Sequence, residues 1–387
     1  MFTNLRLFDG TGAPLRSDVH VLVEADRIAA VGAGTDPPPA SGRTIDCGGR
    51  VLMPGLIDAH WHAMLAATPL PTLMTADVGY LYLAASAEAE RTLMRGFTTI
   101  RDLGGPSFAL KTAIDEGLVP GPRIFPSGAV ITQTGGHGDF RMLYEVPRAG
   151  ATPTRTEALG AAAIADGPDE VRRCAREQLM AGASQIKLTA GGGVASPHSP
   201  LDATLFRPEE IRAAVDAAAD WGTYVTAHAY MPEGITRCVE AGVKCIEHGH
   251  LGDDEAARVM ADRGIWWNLQ PFTEEFHANV LPDPDRQAKL RMVQEGTDMA
   301  YGLAIKHGVK VGWGTDILFD PTGTAQQGRM LAAMTRWYTP AQALKAATSG
   351  NAELLALSGP RNPYPGRLGV IQKGALADIL VVDGDPT

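Results

Sequence analysis

The stretch "VLMPGLIDAHWHAML", residues 51–65, decides how the rest of the chain is read. An apolar strand runs through Pro54 and Gly55 and ends on Asp58, His60 and His62. Successive strand residues point to opposite faces, so His60 and His62 share one face. Two neutral imidazoles converging at a strand end suit a divalent metal. The motif alone also fits two histidines in an ordinary turn, so the other strand ends must decide.

The 387 residues fit a barrel of about 250 residues plus a satellite. Hydrophobic residues make up 45%, enough for a large core, and the 44 glycines and 27 prolines imply many tight connections. A net charge of −10 without a Lys/Arg run argues against nucleic acid or an anionic membrane as partner. No uninterrupted run of about 18 apolar residues predicts a membrane span. The start, "MFTNLRLFDG", lacks signal-peptide character, so a cytoplasmic location is expected. Cys47, Cys174, Cys238 and Cys245 form no C-x-x-C and are expected to stay reduced.

Both ends of the chain read as short alternating strands, "DVHVLVEADRIAAVGAG" at the front and "LGVIQKGALADILVVDGDPT" at the back. One small β-sheet domain built from residues 1–52 and 353–387 is therefore expected. Between them, residues 53–352 alternate strand and helix. The strand candidates are "GLIDAHWH", "FTTIRDLGG", "RIFPSGAVI", "SQIKLTAGGG", "YVTAHAY", "CIEHGH", "IWWNLQPF" and "KVGWGTDI". Eight such strands with helices between them predict a (β/α)8 TIM barrel. A doubly wound sheet is the competitor, but no G-x-G-x-x-G follows the first strand. The longest insertion, residues 132–167, follows the third strand on the side where barrel active sites sit.

The strand ends carry His60 and His62 (first), Lys187 (fourth), His228 (fifth), His248 (sixth) and Asp316 (eighth). Four histidines and an aspartate at one barrel mouth can hold two divalent metal ions. A lysine ammonium has no lone pair and repels cations. It fits only if the neutral amine captures CO2 to give a carbamate whose two oxygens bridge the metals. Zinc leads the candidates, with manganese, iron and cobalt also accepting such ligands.

The order of these groups, with "PGLIDAHWH", "IKLTAGGG", "AHAY", "IEHG" and "WGTD", resembles the amidohydrolase superfamily of metal-dependent hydrolases. "TGGHGD" and "KLTAGGGVASP" resemble its branch of Xaa-Pro dipeptidases, related carboxypeptidases and ochratoxin-type amidases. The resemblance implies a β-sandwich built from both ends, and that His60, His62 and Asp316 hold the more buried metal and His228 and His248 the more exposed one, with carboxylated Lys187 between. It implies that His137 contacts the scissile carbonyl oxygen, that Asp316 moves the proton, and that Tyr230 contacts a substrate carboxylate. The implied substrate is a small amide or dipeptide. A cyclic amidase would share Lys187, and an aryl-amide or carbamate hydrolase or esterase is also open. A one-metal ring deaminase would not need Lys187, and a non-catalytic relative is expected to have lost ligands.

Bulky Trp61 and Trp313 are expected to narrow or reshape the pocket. Gly191, Gly192 and Gly193 are read as backbone clearance near the metals, because no Gly-Lys-Ser/Thr follows them. His250 is assigned a supporting or loop role, and His20, His198, His277 and His307 surface or loop positions. Barrels of this kind often associate, which leaves a homo-oligomer open.

Overall fold

The computed structural model describes residues 1–33, 42–146, 152–196, 198–276 and 283–387. His277 lies outside the described residues. In chain order the strands are β1 (Phe2–Leu7), β2 (Arg16–Glu24), β3 (Arg27–Ala33), β4 (Ile45–Asp46) and β5 (Val51–Pro54). Next come β6 (Leu56–Trp61), β7 (Phe97–Asp102), β8 (Arg123–Pro126), β9 (Val130–Thr132) and β10 (Ala162–Ile164). The last are β11 (Ile186–Thr189), β12 (Val225–Ala229), β13 (Cys245–His248), β14 (Trp266–Leu269), β15 (Lys310–Trp313) and β16 (Ile379–Val382).

The two ends of the chain meet in one sheet of order β16-β5-β1-β2-β3, with β4 paired to β1. β16 lies antiparallel to β5, Leu380 opposite Met53. Leu5, Leu7, Val21, Ile28 and Leu52 bury one apolar cluster against Ile371 and Ala375. The sheet domain expected from both ends is thus present as one sheet of six strands among the described residues, at the place where the family resemblance implies a β-sandwich.

Each of the eight strands expected between the ends is present, and neighbours run parallel. "RIFPSGAVI" is not one straight strand. It bends at Gly128, whose φ is +72°, a value glycine tolerates without steric cost. Its first half, β8, pairs with β7, and its second half, β9, pairs with β11 and β10. The bend lets one segment hand the sheet from one neighbour to the next.

The seam between β15 and β6 is closed by side chains as well as backbone. Asn351 Nδ2 donates to Ile57 O and Trp313 O, both at 2.7 Å, while its Oδ1 accepts from Trp313 N–H at 3.0 Å. Asp58 accepts from the backbone N–H groups of His60 and Thr315, from the Thr315 hydroxyl and from Gln327. A Cβ on Gly314 would meet the His60 backbone nitrogen at 2.4 Å, so only glycine permits this approach.

The connecting helices follow their sequence signals. Pro168–Ala181 starts with proline and two acidic residues and stops at Gly182, which adopts φ 105°. Val171, Cys174, Ala175 and Leu179 form its buried stripe. Trp61 and Trp313 are buried in the apolar packing, Trp313 stacked on Phe97 at 5.8 Å between ring centroids. Neither lines the cavity at the barrel mouth, so the expected narrowing does not occur. The alternation that turns His60 and His62 inward turns Trp61 outward. His20 is also placed differently from the expectation: it is buried in β2, its Nδ1 at 2.7 Å from Ala33 O. All four cysteines are free and buried.

Asn351→Ala removes three hydrogen bonds at the seam and leaves buried backbone groups unpaired. A loss of about 2–4 kcal/mol is expected. Denaturant unfolding monitored by tryptophan fluorescence measures it, and a loss below about 1 kcal/mol contradicts the role given to Asn351.

Candidate active site

His60, His62, His137, Lys187, His228, Tyr230, His248 and Asp316 all line one cavity at the C-terminal ends of the barrel strands. The sequence expectation and the structure therefore bring the same eight side chains together. Strand alternation explains most of them. Lys187 pairs in register with Thr226, and Thr189 with His228, so Lys187, Thr226 and His228 stand on the inner face.

Two residues break the alternation. In β13 the inner face belongs to Glu247, which would turn its neighbour His248 outward. His248 has φ +70° and Asp316 φ +54°, left-handed values uncommon outside glycine, though Asp and His adopt them more readily than most residues. The backbone twists at both positions and returns the side chains to the cavity. Strain of this kind clusters at functional sites. The Asp316 N–H donates to His60 O at 2.8 Å, which anchors the second twist.

Glu247 is the member that sequence reasoning missed. It is fully buried, accepts from His60 Nδ1–H at 2.7 Å and from Arg101 Nη2 at 2.6 Å, and takes a third bond from Asn268 Nδ2 at 2.7 Å. Burial opposes its charge, but Arg101 and His60 outweigh this and hold its pKa well below the usual carboxylate range. The signal was available: an acidic residue next to His248, placed inside by strand alternation.

The histidine tautomers follow from their partners. His60 donates Nδ1–H to Glu247, and His62 Nδ1 lies 3.3 Å from Gly104 O. Gln270 Nε2 donates to Asn268 O, so its Oε1 accepts, and His248 gives it Nδ1–H at 2.8 Å. His228 donates Nε2–H to Gly192 O at 2.8 Å. Each ring thus has one nitrogen tied to an oxygen and the other free for the cavity, the arrangement of metal-ligating histidines.

His60 Nε2 and His62 Nε2 each lie 3.1 Å from Asp316 Oδ1. Each of these close contacts needs either an imidazole proton or a cation between nitrogen and oxygen. Ligand atoms of His60, His248 and Asp316 all come within 4.8 Å of one another. This donor set fits a divalent cation. Burial opposes charge on His60, yet Asp316 and Glu247 raise its pKa; burial lowers that of His62. Lys187 is buried, its pKa is lowered by that burial, and its Nζ has no hydrogen-bond partner among the described residues.

His137 sits 4.4 Å from His228, ring centroid to ring centroid, with its pKa pushed down to about 4 by burial. A Cβ on Gly193 would fall 2.1 Å from His137 Nδ1, so this glycine clears space for the ring. The Tyr230 ring lies 5.0 Å from His228 and 5.2 Å from His248, and its hydroxyl has no partner among the described residues. His250 is buried, its Nε2 2.9 Å from Gln270 O, in keeping with a supporting role. Leu65, Leu73, Phe140, Val194, Phe272 and Phe319 give the rest of the cavity an apolar wall.

The turn carrying His137 is clamped by Asp139, which accepts from Gly135 N–H at 2.9 Å and from Arg141 at 2.8 and 2.6 Å. Burial raises the Asp139 pKa, but Arg141 and the backbone outweigh it and leave it below 3.8. A depressed carboxylate stabilises fully above its unfolded pKa and loses that contribution as pH falls through the folded value. Asp139→Asn should therefore lower Tm by about 1–3 °C at pH 7. The difference should close as pH drops below 3.8, as read by scanning fluorimetry across pH. A gap that widens on acidification contradicts the clamp.

Residues 51–387 match the description "Amidohydrolase family". Ochratoxinase of Aspergillus niger is 34% identical over 98% of this chain and 80% of its own length. A prolidase solved in complex with N-methylphosphonate-L-proline superposes with a TM-score of 0.90 at 35% identity, covering 100% of this chain and 92% of that one. A Xaa-Pro dipeptidase with bound methionine gives 0.84 at 28% identity, covering 98% and 93%. With the match running from β5 to the last residue and the metal-type donor set at the barrel mouth, this chain belongs to the amidohydrolase family.

Proposed function

We propose that this chain hydrolyses an amide C–N bond in a small substrate whose leaving part carries a carboxylate, a dipeptide or an N-acyl amino acid. The observation that carries this reading is the convergence of His60, His248 and Asp316, whose ligand atoms all come within 4.8 Å of one another, with His62 Nε2 3.1 Å from Asp316 Oδ1. The relatives named ochratoxinase and prolidase support amide and peptide hydrolysis. His60, His62 and Asp316 would hold one divalent cation, and His228 and His248 a second. Lys187, carrying a CO2-derived carbamate, would contribute anionic oxygens to both. Two such cations, zinc foremost, would supply Lewis acidity and a water whose pKa is lowered to about 7 or below.

The side chains supply the rest. His137 donates a hydrogen bond to the scissile carbonyl oxygen as charge develops there. Asp316 accepts the nucleophile's proton and passes it to the leaving nitrogen. Tyr230 donates to the substrate carboxylate from just past the end of β12, two residues beyond His228 and on the same cavity wall. The apolar wall holds the remainder of the substrate and excludes water. Burial favours the neutral Lys187 amine, which is the form that combines with CO2.

Metal analysis combined with a hydrolysis screen of dipeptides, N-acyl amino acids, carbamates and cyclic amides tests the proposal. Faster turnover of neutral carbamates or cyclic ureas than of any acid-terminated amide overturns the substrate class. Lys187→Ala should lose one or both metals and most activity, with short carboxylic acids restoring part of it. Full metal content and activity in that variant would remove the bridging role. Asp316→Asn should keep the fold while kcat falls on the order of 10²–10⁴-fold. Tyr230→Phe should raise KM for carboxylate-bearing substrates by about 1–2 kcal/mol in binding terms and leave neutral amides unchanged.

A further inference from the structure

One glycine-rich segment serves two neighbouring imidazoles in opposite ways. Gly192 O accepts from His228 Nε2, which leaves His228 Nδ1 as a lone pair. Four residues later, Ser196 Oγ lies 2.8 Å from His137 Nδ1 and 3.0 Å from Gly138 N. The Gly138 N–H can only donate, so it uses an acceptor lone pair of Ser196. The Ser196 hydroxyl proton then needs its own acceptor, and Ser196 is fully buried. The one acceptor in reach among the described residues is His137 Nδ1.

We propose that Ser196 is a positioning residue that holds His137 as its Nε2–H tautomer, so that the ring presents a donor, not a lone pair, to the substrate carbonyl oxygen. Lys289 fixes the segment from outside. Its ammonium donates to Ser199 O at 2.8 Å and lies 3.4 and 3.5 Å from Ser196 O and Gly193 O. The same turn thus sets His228 to offer a lone pair and His137 to offer a proton, 4.4 Å apart. With the other tautomer, His137 would direct a lone pair at a developing oxyanion and oppose the reaction. The inference rests on the role given to His137 above.

Nitrogen-15 NMR of histidine-labelled, zinc-loaded protein tests it, with His137→Ala identifying the His137 signals. An unprotonated Nδ1 and a protonated Nε2 in the wild type are expected; a protonated Nδ1 overturns the proposal. Ser196→Ala should lower kcat about 10-fold with KM little changed, the range for partners that orient functional histidines. Ser196→Thr, which keeps the hydroxyl, should recover most of the loss. In a His137→Ala background, Ser196→Ala should cost nothing further, whereas an additive loss would show a merely structural serine. If no amide is turned over, the functional reading falls, and the nitrogen spectrum alone still decides the tautomer.

Discussion

The buried Glu247 carboxylate is the point on which the barrel interior depends. Its bonds to His60, Arg101 and Asn268, with a further one from the Thr226 hydroxyl, tie together β6, β7, β12, β13 and β14. Arg101 also donates to Ala59 O at 2.6 Å, one residue before His60. Removing one partner of such a buried pair leaves an uncompensated charge, a loss of about 3–5 kcal/mol. The network is costly to bury and leaves little freedom to the groups it holds. It fixes the His60 ring with Nδ1–H facing down the barrel and Nε2 facing the mouth.

The same logic recurs at His62, His248 and His228, with a different acceptor each time. Glu247, Gly104 O, Gln270 and Gly192 O each take one imidazole proton. Protons directed into the protein leave lone pairs directed into the cavity. Orienting partners of this kind raise ligand basicity and limit rotation. At His248, where strand alternation alone would aim the ring away, and at Asp316, just past the end of β15, left-handed backbone turns the side chain into the cavity.

The fold was legible because eight strands ended in polar or glycine-rich residues at regular intervals, with helices between them. His60, His62, Lys187 and His228 were legible because the period of two puts alternate residues on one face. The same period, applied to Trp61, would have shown that it faces the outer packing and not the pocket. Glu247 was passed over because carboxylates within a strand are ordinarily solvent-facing. Its partners Arg101 and Asn268 lie 146 and 21 residues away, so no local pattern joins them. Ser196 was hidden for a related reason: its partner His137 is 59 residues distant. The bend at Gly128 reads in sequence as the middle of one strand, because a change of neighbour leaves no mark on hydrophobic alternation.

The cavity joins two environments that make each other work. Its floor gathers imidazoles, one lysine and one aspartate, and its walls carry leucine, valine and phenylalanine side chains. Apolar walls lower the local dielectric, which strengthens every charge interaction at the floor. The same desolvation drives the Lys187 ammonium toward its neutral form and keeps His137 uncharged. A neutral His137 can donate to an oxyanion without carrying charge of its own toward the cations expected at the floor. Fixed donors aimed at developing charge need no reorganisation during the reaction, and that is where such sites gain most of their rate. The apolar wall is therefore part of the chemistry: replaced by a solvated one, the same eight polar side chains would be far weaker at shifting protons or stabilising charge.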